Sequence, residues 1–466
     1  MDGFSVVAAS SLSALLIACA PAPCASVVPV TASAVAPPPG PIQHVIVVSI
    51  DGLMPDSYLH PERHGLRIPT LLWMAQHGAV SDGVESVFPT VTYPSHTSMV
   101  TGVNPGKHGI VSNRSFDPLE NDLESWRWYS SEIRVEPLWQ IAQRHGYDTA
   151  LVHWPVSLGA EVRWLLPEFW RAKTTQDQKL MRVVSTAGLL DKVANEHPDF
   201  WSRYVPPNVS DDALTDVALH ILREGKPRLL FLHLVEVDAA QHHHGLDSVE
   251  ARVAIETDDR QVARVLEQVR LLGLSEKTAV VVLSDHGFRP TGKMVRPCVL
   301  LREAGLIDVS ADGKISNWKA TVLTNWGQAY VYLKDPADAA SREQIRGILA
   351  TRQSQLESGI GTIYGADEIR ARGGDGAAFM AIEPTDDFQF GPGCLGDYVA
   401  PPTYLGNHGF DPSRPEMRAS MLMVGPTIPH GSIEHARIID LTPTIAQWLA
   451  LPLGQVDGKP LTITPK

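Results

Sequence analysis

Three apolar segments, each followed closely by an aspartate, constrain the fold of this chain most. The segments and their carboxylates are His44–Ile50 with Asp51, Leu229–Val235 with Asp238, and Thr278–Leu283 with Asp285. Near-continuous apolar runs of this length are typical of strands buried on both faces of a parallel sheet. Asp211–Arg223 and Val249–Leu272 have apolar residues at helical spacing. Alternating strands and helices predict a layered α/β fold with a mostly parallel sheet.

The aspartates that follow these segments favour a metal site. Ligands of open parallel sheets bind at the carboxyl ends of the strands, so we expect Asp51, Asp238 and Asp285 at one edge. A single aspartate after a strand is ordinary, because Asp also starts turns and caps helices. Three converging carboxylates would repel one another unless cations neutralise them.

Histidines accompany two of these carboxylates. His242 follows Asp238 by four residues, which lets both side chains reach one ion, and His286 is adjacent to Asp285. A third candidate, His408, lies in a Gly-Asn-His-Gly segment. Carboxylate oxygens with imidazole nitrogens, and no thiolate, suit a catalytic zinc site. The chain has 18 histidines, so most of them must have ordinary roles and the pattern carries the prediction.

A candidate nucleophile lies between the first and second of these strands. Pro94 fits the first turn of a helix, which puts Thr92 at or just before the helix N-terminus. Unpaired N–H groups at such an end favour an anionic oxygen or a bound phosphate. A threonine before a helix is more often an N-cap, and from the residues alone that interpretation is the stronger one.

Six blocks of sequence form an ordered set along the chain. They are Asp51–Gly52, Pro89–His96, Thr101–Gly109 with Ser112–Asn113, Asp238–His242, Ser284–Gly287 and Gly406–Phe410. The set resembles the alkaline phosphatase superfamily and, within it, the nucleotide pyrophosphatase/phosphodiesterase branch. The resemblance covers His44 to Leu449, most of the chain. It implies an alkaline phosphatase-like fold, with three α/β/α layers and a mostly parallel central sheet.

The resemblance also implies two zinc ions and their ligands. The ligands of one zinc would be Asp238, His242 and His408, and those of the other Asp51, Asp285, His286 and the Thr92 oxygen. In this family the zinc ions activate the threonine hydroxyl and the water that later hydrolyses the phospho-enzyme. The implied activity is therefore hydrolysis of phosphodiester or pyrophosphate bonds.

Further residues match substrate-binding positions of the family. Thr92 matches the nucleophile, and Asn113 matches the ligand of a phosphate oxygen. Tyr93 matches an aromatic position that stacks on a nucleobase. Trp164 and Trp170 are candidates for a second stacking residue. We therefore expect nucleotide-type substrates.

The choice between diesters and monoesters depends on basic residues. Relatives that cleave monoesters add a Lys or Arg beside the phosphate, and the segment Ala150–Pro155 offers no obvious base of that kind. Lys107 and Arg114 are near in sequence but are equally well explained as surface residues. Diesters and pyrophosphates are therefore expected. The alternatives are a phosphomonoesterase or phosphonate hydrolase and, from another class, an inactive binding protein on the same fold.

The first 42 residues predict a signal peptide followed by a Pro/Ala-rich linker. Val6–Ala20 is an apolar run too short to span a bilayer, and Pro21 ends it, as in secretory signals. The usual positive region is missing, because no Lys or Arg precedes Arg63. Leu16–Cys19 resembles a bacterial lipobox, so lipidation of Cys19 is an alternative to plain cleavage. A periplasmic or secreted protein is expected.

Residues 43–466 are expected to form one catalytic domain with a cap insertion within 288–400. Cys298 and Cys394 either pair in an oxidising compartment or remain two buried thiols, because two residues give no spacing pattern. The net charge of −13 provides no positive field for a nucleic-acid polymer or an anionic membrane. The expected partner is a small-molecule phosphodiester or pyrophosphate substrate, with membrane contact only if Cys19 is lipidated.

Overall fold

The computed structural model describes residues 40–466, apart from residues 123, 171–173, 206–207 and 356. The predicted signal peptide, Cys19 and most of the linker therefore lie outside the described residues. The described part belongs to the folded unit Pro37–Lys466. No helix within this part combines the length and the apolar composition needed to cross a bilayer.

The strands and helices alternate along much of the chain. The strands are β1 His44–Ile50, β2 Ala79–Val80, β3 Thr149–Val152, β4 Trp164–Leu166, β5 Tyr204–Val205, β6 Asn208–Val209, β7 Leu229–Leu234, β8 Thr278–Leu283, β9 Arg289–Pro290, β10 Lys293–Val295, β11 Ile307–Val309, β12 Ile315–Trp318, β13 Ala320–Thr324, β14 Ala329–Leu333, β15 Ile360–Gly365, β16 Met380–Pro384, β17 Phe388–Phe390, β18 Val399–Ala400, β19 Gly406–Asn407, β20 Met421–Val424, β21 Gly431–Ile433 and β22 Ile463–Pro465. The α-helices are α1 Asp56–Leu59, α2 Pro61–His64, α3 Pro69–His77, α4 Thr92–Thr101, α5 Pro105–His108, α6 Leu138–Arg144, α7 Thr175–Val184, α8 Leu189–Glu196, α9 Phe200–Arg203, α10 Asp211–Gly225, α11 Glu236–His244, α12 Val249–Leu271, α13 Pro297–Glu303, α14 Ala339–Gln353, α15 Ala366–Ala371 and α16 Leu441–Trp448.

A nine-stranded sheet organises the described residues, in the order β22-β21-β2-β20-β8-β1-β7-β3-β4. The three strands predicted from the sequence are β1, β7 and β8, which lie side by side near its centre and run parallel. Strands β3 and β4 extend the parallel part, whereas β20 pairs antiparallel with β8. The prediction of a mostly parallel central sheet is confirmed.

Helices cover both faces of this sheet. Along β1, Ile46 and Val48 belong to one apolar core, which also contains side chains of α10 and α12. Val45 and Val47 belong to a second core, which contains side chains of α6 and α16. Successive residues of a strand point to opposite faces, so an apolar run with no alternation is what a doubly covered strand requires. The three-layer architecture follows from that pattern.

The two long helices predicted from apolar periodicity begin where the sequence places serine. The Ser210 hydroxyl accepts from the backbone N–H of Ala213 at the start of α10, and Ser248 accepts from Ala251 at the start of α12. Each bond satisfies a helix N–H that has no partner within the helix. The predicted ends agree with the observed ends to within two residues.

The segment 288–400 contains a second, smaller sheet. Strands β13, β14, β16 and β15 form it in that order, and all its pairings are antiparallel. It has an apolar core of its own, which includes Cys298 and Cys394. These cysteines form a disulfide, which resolves the pairing that the sequence left open. The ring of Phe88, just before α4, packs edge-on against Tyr330 of this sheet.

Candidate active site

The predicted carboxylates and histidines meet at the carboxyl ends of the central strands. Asp51 directly follows β1, Asp285 follows β8, and Asp238 lies in α11 after β7. The Nε2 atom of His286 is 3.3 Å from Asp51 Oδ1 and 3.1 Å from Asp285 Oδ2. The Nε2 atom of His408 is 3.6 Å from Asp238 Oδ1. The expected convergence is therefore present in the structure.

Gly52 allows the chain to turn immediately after Asp51. Its φ is +70°, a left-handed conformation that favours glycine. A Cβ atom at this position would lie 2.6 Å from the ring of Phe288, so the approach also excludes larger residues. The N–H of Gly52 donates to Asp285 Oδ1 at 3.1 Å. This turn thus ties the ends of β1 and β8 together.

Helix α11 explains why Asp238 and His242 face the same side. Residues four apart are neighbours on a helix surface, and His242 Nε2 lies 3.3 Å from Asp238 Oδ1. The Nδ1 atom of each of the site histidines is within hydrogen-bond distance of a backbone carbonyl. These pairs are His242 with Gly406, His286 with Gly287, and His408 with Thr90. Donation from Nδ1–H leaves Nε2 to face the carboxylates, as in metal-binding histidines.

The donor set fits divalent cations. Asp51 Oδ1, Asp238 Oδ1 and Asp285 Oδ2 are buried oxygens without a hydrogen-bond partner among the described residues. Leaving a buried charged acceptor unsatisfied is costly, and a bound cation would satisfy these oxygens. Two groups of donor atoms each lie within 4.8 Å of one another. They are Asp238 with His286 and His408, and Asp51 with Asp285 and His286.

The electrostatics of the metal-free cluster lead to the same interpretation. Burial, and then the charges of Asp285 and Asp238, raise the pKa of Asp51 well above its usual value. Burial raises the pKa of Asp285 to about 7. Burial also lowers the pKa of His408 to about 4 and holds that of His286 well below its usual value. The imidazoles of His286 and His408 are therefore neutral at pH 7, as metal coordination requires.

Thr92 is the first residue of α4, and its hydroxyl borders the cluster. Val91 is the N-cap and has an extended backbone, so the expected position of Thr92 at the helix start is confirmed. Its Oγ1 lies 3.5 Å from His286 Nε2. The side chain of Asn113 reaches the same helix end, where its Oδ1 accepts from the N–H of Tyr93 at 2.8 Å. The predicted nucleophile and phosphate ligand therefore share one helix terminus.

A cleft with a volume of about 530 Å³ opens onto this cluster. The expected Trp170 lines it, as does Arg114. Trp164 is not among the described residues of its wall, because the indole packs instead against Gly225 at the end of α10. The other described lining residues are Asp51, Thr92, Tyr93, Glu124, Trp126, Trp128, Glu168, His233, Val235, Asp238, Ala239, His242, His243 and Tyr404.

Two expectations about substrate contacts gain no support from this cleft. The side chain of Tyr93 has no exposed area, and its ring lies edge-on to Trp126 and Trp128, so no free ring face is offered to a base. The expected cap segment, 288–400, contributes none of the described residues that line the cleft. Tyr404, which follows that segment, lines it instead. Base stacking on Tyr93 and a substrate-shaping cap stay predictions.

Comparison with known proteins identifies the family. Residues 45–410 match the family model of the type I phosphodiesterases / nucleotide pyrophosphatases, which covers most of the chain. The chain belongs to this family. The family assignment made from the six ordered sequence blocks is thereby confirmed, and the ligand cluster lies inside the matched region.

Individual relatives are distant. Mouse ectonucleotide pyrophosphatase/phosphodiesterase family member 1 is 25% identical over 250 residues, which are 52% of this chain and 24% of that protein. The first curated relatives are matched over less than half of their own length. Among solved structures, human ectonucleotide pyrophosphatase / phosphodiesterase 5 has a TM-score of 0.64 at 19% identity and covers 90% of this chain and 97% of its own.

A second solved structure belongs to the same group. An inactive variant of mouse ectonucleotide pyrophosphatase / phosphodiesterase 5, in complex with AMP, has a TM-score of 0.61 at 21% identity. It covers 89% of this chain and 97% of its own. These two neighbours show the fold of the phosphodiesterase family for this chain and confirm the predicted architecture.

Several cleft residues of this family member had not been singled out in the sequence. His233 lies within β7, and a lone polar residue inside an apolar strand was the available signal. Glu168 precedes the predicted Trp170 by two residues. Trp126 and Tyr404 come from irregular segments far apart in sequence. Long-range packing brings these last residues to the cleft, and no local pattern marks such packing.

Proposed function

We propose that the chain is a two-zinc hydrolase that cleaves phosphodiester or pyrophosphate bonds in nucleotide-type substrates, with Thr92 as nucleophile. One observation carries the proposal: three carboxylate oxygens that have no hydrogen-bond partner among the residues described meet the Thr92 hydroxyl at the end of an aromatic cleft. Membership of the phosphodiesterase family supports the reaction class. The AMP bound to the mouse relative supports a nucleotide-type ligand.

The metal ligands follow from the cluster. Asp238, His242 and His408 would hold one ion, and Asp51, Asp285, His286 and the Thr92 oxygen the other. Imidazole and carboxylate donors without thiolate are suited to zinc. When bound, the two ions would supply Lewis-acid chemistry that favours the threonine alkoxide and neutralises charge on the phosphoryl oxygens.

The residues of this chain position the reaction. Thr92 Oγ1 gives up its proton and forms a bond to phosphorus, while the bond to the leaving alcohol or phosphate breaks and the departing oxygen takes up a proton. The product is a phosphothreonine diester. The Asn113 amide and the N–H groups at the start of α4 hold a phosphoryl oxygen where negative charge develops. Water then attacks phosphorus, the Thr92–phosphorus bond breaks, and the hydroxyl recovers its proton. Trp170 provides an aromatic wall for the nucleoside part.

A second candidate function is monoester hydrolysis, and Arg114 is the observation that favours it. The sequence left open whether this residue or Lys107 was near the phosphate. Arg114 lines the cleft, whereas Lys107 is exposed and paired with Asp457. A guanidinium at this place could bind either the additional charge of a monoester or the second phosphate of a pyrophosphate. We favour the pyrophosphate.

We also propose that the protein is exported to the periplasm or secreted. The disulfide between Cys298 and Cys394 supports this, because structural disulfides persist mainly in oxidising compartments. The predicted signal sequence supports it independently. Lipidation of Cys19 remains the alternative to plain cleavage. Fractionation of cells that express the full chain, with and without a Cys19→Ala substitution, tests both points.

The decisive experiment replaces the nucleophile. Thr92→Ala is expected to abolish hydrolysis of nitrophenyl nucleotide diesters, and Thr92→Ser to retain part of it, because serine keeps a hydroxyl. Thr101→Ala is the matched control, since Thr101 is a buried threonine of the same helix that bonds to the Thr97 carbonyl. Full activity of Thr92→Ala would refute the mechanism.

Metal counting separates the enzyme from an inactive binding protein. Protein supplied with zinc is expected to bind two ions per chain, and a chelator should remove both the ions and the activity. A count near zero would favour the binding-protein alternative. Comparing kcat/KM on nitrophenyl phosphate with that on matched diesters decides between the two hydrolase functions.

A further inference from the structure

One buried carboxylate connects the metal cluster with the aromatic wall of the cleft. Glu168 Oε2 lies 3.1 Å from His233 Nδ1, and His233 Nε2 lies 3.1 Å from Asp51 Oδ2. The other oxygen of Glu168 accepts from the Tyr93 hydroxyl at 2.8 Å and from the Trp170 indole at 2.6 Å. Glu168 therefore contacts His233, which in turn contacts the candidate metal ligand Asp51. It also contacts two side chains of the cleft, Tyr93 and Trp170.

His233 contacts one oxygen of the Asp51 carboxylate and not the other. Its Nε2 faces the Asp51 carboxylate, and its Nδ1 faces Glu168 and the carbonyl of His153, at 3.1 Å in each case. The carbonyl of His153 can only accept, so Nδ1–H is the donor on that side and Nε2 is the ring atom that faces Asp51 Oδ2. Asp51 Oδ2 is thereby held, and Oδ1 is the buried oxygen that has no hydrogen-bond partner in the part of the chain that the structure describes.

Glu168 and His233 are both buried, so the loss of either side chain would affect the other. Glu168 is 2% exposed and His233 is 1% exposed. A buried ion pair adds little to stability, because the desolvation cost offsets much of the attraction. Removing one member, however, leaves the others without compensation. The geometry thus favours an orienting role for Glu168 over a purely stabilising one.

We propose that Glu168 is a positioning residue for both halves of the active site. Through His233 it holds Asp51 in the orientation that binds a metal ion, and through Tyr93 and Trp170 it holds the cleft wall that contacts the substrate. Metal affinity and substrate binding therefore depend on the same carboxylate. This inference rests on the proposed two-metal function.

The substitution Glu168→Gln tests the link. Glutamine keeps the size of the side chain and one acceptor oxygen, but its NH₂ group would face a donor on His233 and the negative charge is lost. We expect the affinity for one of the two zinc ions to fall about 10- to 100-fold, the usual effect of removing a group that orients a metal ligand. The affinity for the other ion should stay near that of the wild type.

Glu383→Gln is the matched control. Glu383 is also a buried glutamate that accepts from a tyrosine hydroxyl, that of Tyr364 at 2.8 Å, but it lies in the smaller sheet and not at the cleft. This control measures what the loss of a buried carboxylate does to folding in general. Zinc affinity is measured in both variants by competition with a chromophoric chelator, and folding by thermal unfolding.

The outcomes are distinct. Wild-type zinc affinity in folded Glu168→Gln, or equal losses in Glu168→Gln and Glu383→Gln, would overturn the inference. If Glu168→Gln does not fold, His233→Gln is used, which keeps a donor towards Asp51 but breaks the link to Glu168. About tenfold weaker zinc binding in that variant would support the inference, and unchanged binding would overturn it. A wild-type protein without zinc would instead refute the proposed function.

Discussion

At the scale of single residues, the charge of Arg114 is the feature of the cleft most open to test. Its side chain borders the same space as Thr92 and Trp170. Lys107, seven residues earlier, is exposed and forms an ion pair with Asp457. Neither position has a distinguishing local sequence pattern, so only the fold separates a cleft residue from a surface residue. Substrate preference should therefore respond to one of them and not to the other.

We expect Arg114→Ala to raise KM selectively for pyrophosphate-type substrates. A hydrogen bond to a charged group contributes about 1.5–3 kcal/mol, which corresponds to roughly 10- to 100-fold in binding. Nitrophenyl nucleotide diesters lack the second phosphate and should change much less. Steady-state kinetics on both substrate types measures the difference, with Lys107→Ala as the control. Equal losses on both substrate types in Arg114→Ala would contradict this role.

At the scale of secondary structure, the start of α4 combines a helix terminus with the proposed nucleophile. Thr92 begins the helix and Pro94, which needs no N–H partner, lies in its first turn. The N–H of Tyr93 in that turn is satisfied from outside the helix, by the side chain of Asn113. Asn113 therefore has two separable roles. Its Oδ1 accepts from the N–H of the first helical turn, and its NH₂ group is the proposed donor to phosphate.

The two tasks of Asn113 predict different effects of two substitutions. Asn113→Asp keeps an acceptor for the helix N–H but loses the donor and adds a negative charge beside the phosphate. Its free energy of unfolding should stay within about 1 kcal/mol of the wild type, while kcat falls roughly 10²- to 10³-fold. Asn113→Ala should lose stability as well as activity. Urea unfolding and kinetics check both, and an active Asn113→Asp protein would exclude the donor role.

The parts of the fold that the sequence predicted are those with strong local patterns. Strands β1, β7 and β8 are apolar throughout because both of their faces are covered, and α10 and α12 have regular apolar spacing. Two-residue strands such as β2 have no comparable pattern. The antiparallel β20 joins the sheet through pairing with β8, far away in sequence.

The candidate site was predictable to the same extent. Asp51, Asp285 and His408 lie in short sequence motifs, which can be recognised without knowing how the chain packs. Glu168 and Arg114 line the cleft because the fold brings them beside residues of other elements, and their sequence context does not distinguish them. Tyr93 shows that a motif does not predict the exposure of a side chain. Its motif was clear, but packing against Trp126 and Trp128 buries the ring.

At the scale of the whole molecule, the metal cluster sets stability against function. Asp51 and Asp285 lie together at the carboxyl ends of the central strands, where burial raises the pKa of both carboxyl groups. Without cations the protein relieves this by binding protons, and with cations by binding metal. The same residues should therefore destabilise the metal-free protein and stabilise the loaded one, by mass action with the free metal.

Asp285→Asn should make the metal-free protein more stable, increasingly so as the pH rises. The pKa of Asp285 is about 7 in the folded protein and about 3.9 in an unfolded chain, so the folded state binds more protons between these values. Stability contributed by the protonated form is complete below pH 4, is lost as the pH rises through 7, and then stays constant. Asparagine, which does not titrate, keeps an acceptor for the N–H of Gly52. The difference in unfolding free energy should grow by on the order of 3 kcal/mol between pH 4 and pH 8.

Urea unfolding at several pH values, with a chelator present, measures this difference. Repeating the series with excess zinc should reverse its sign at pH 8, because the variant lacks one ligand and gains less from the metal. A difference that does not vary with pH would show that Asp285 is charged in the metal-free protein. A wild type that remains less stable in zinc would show that these carboxylates do not bind it.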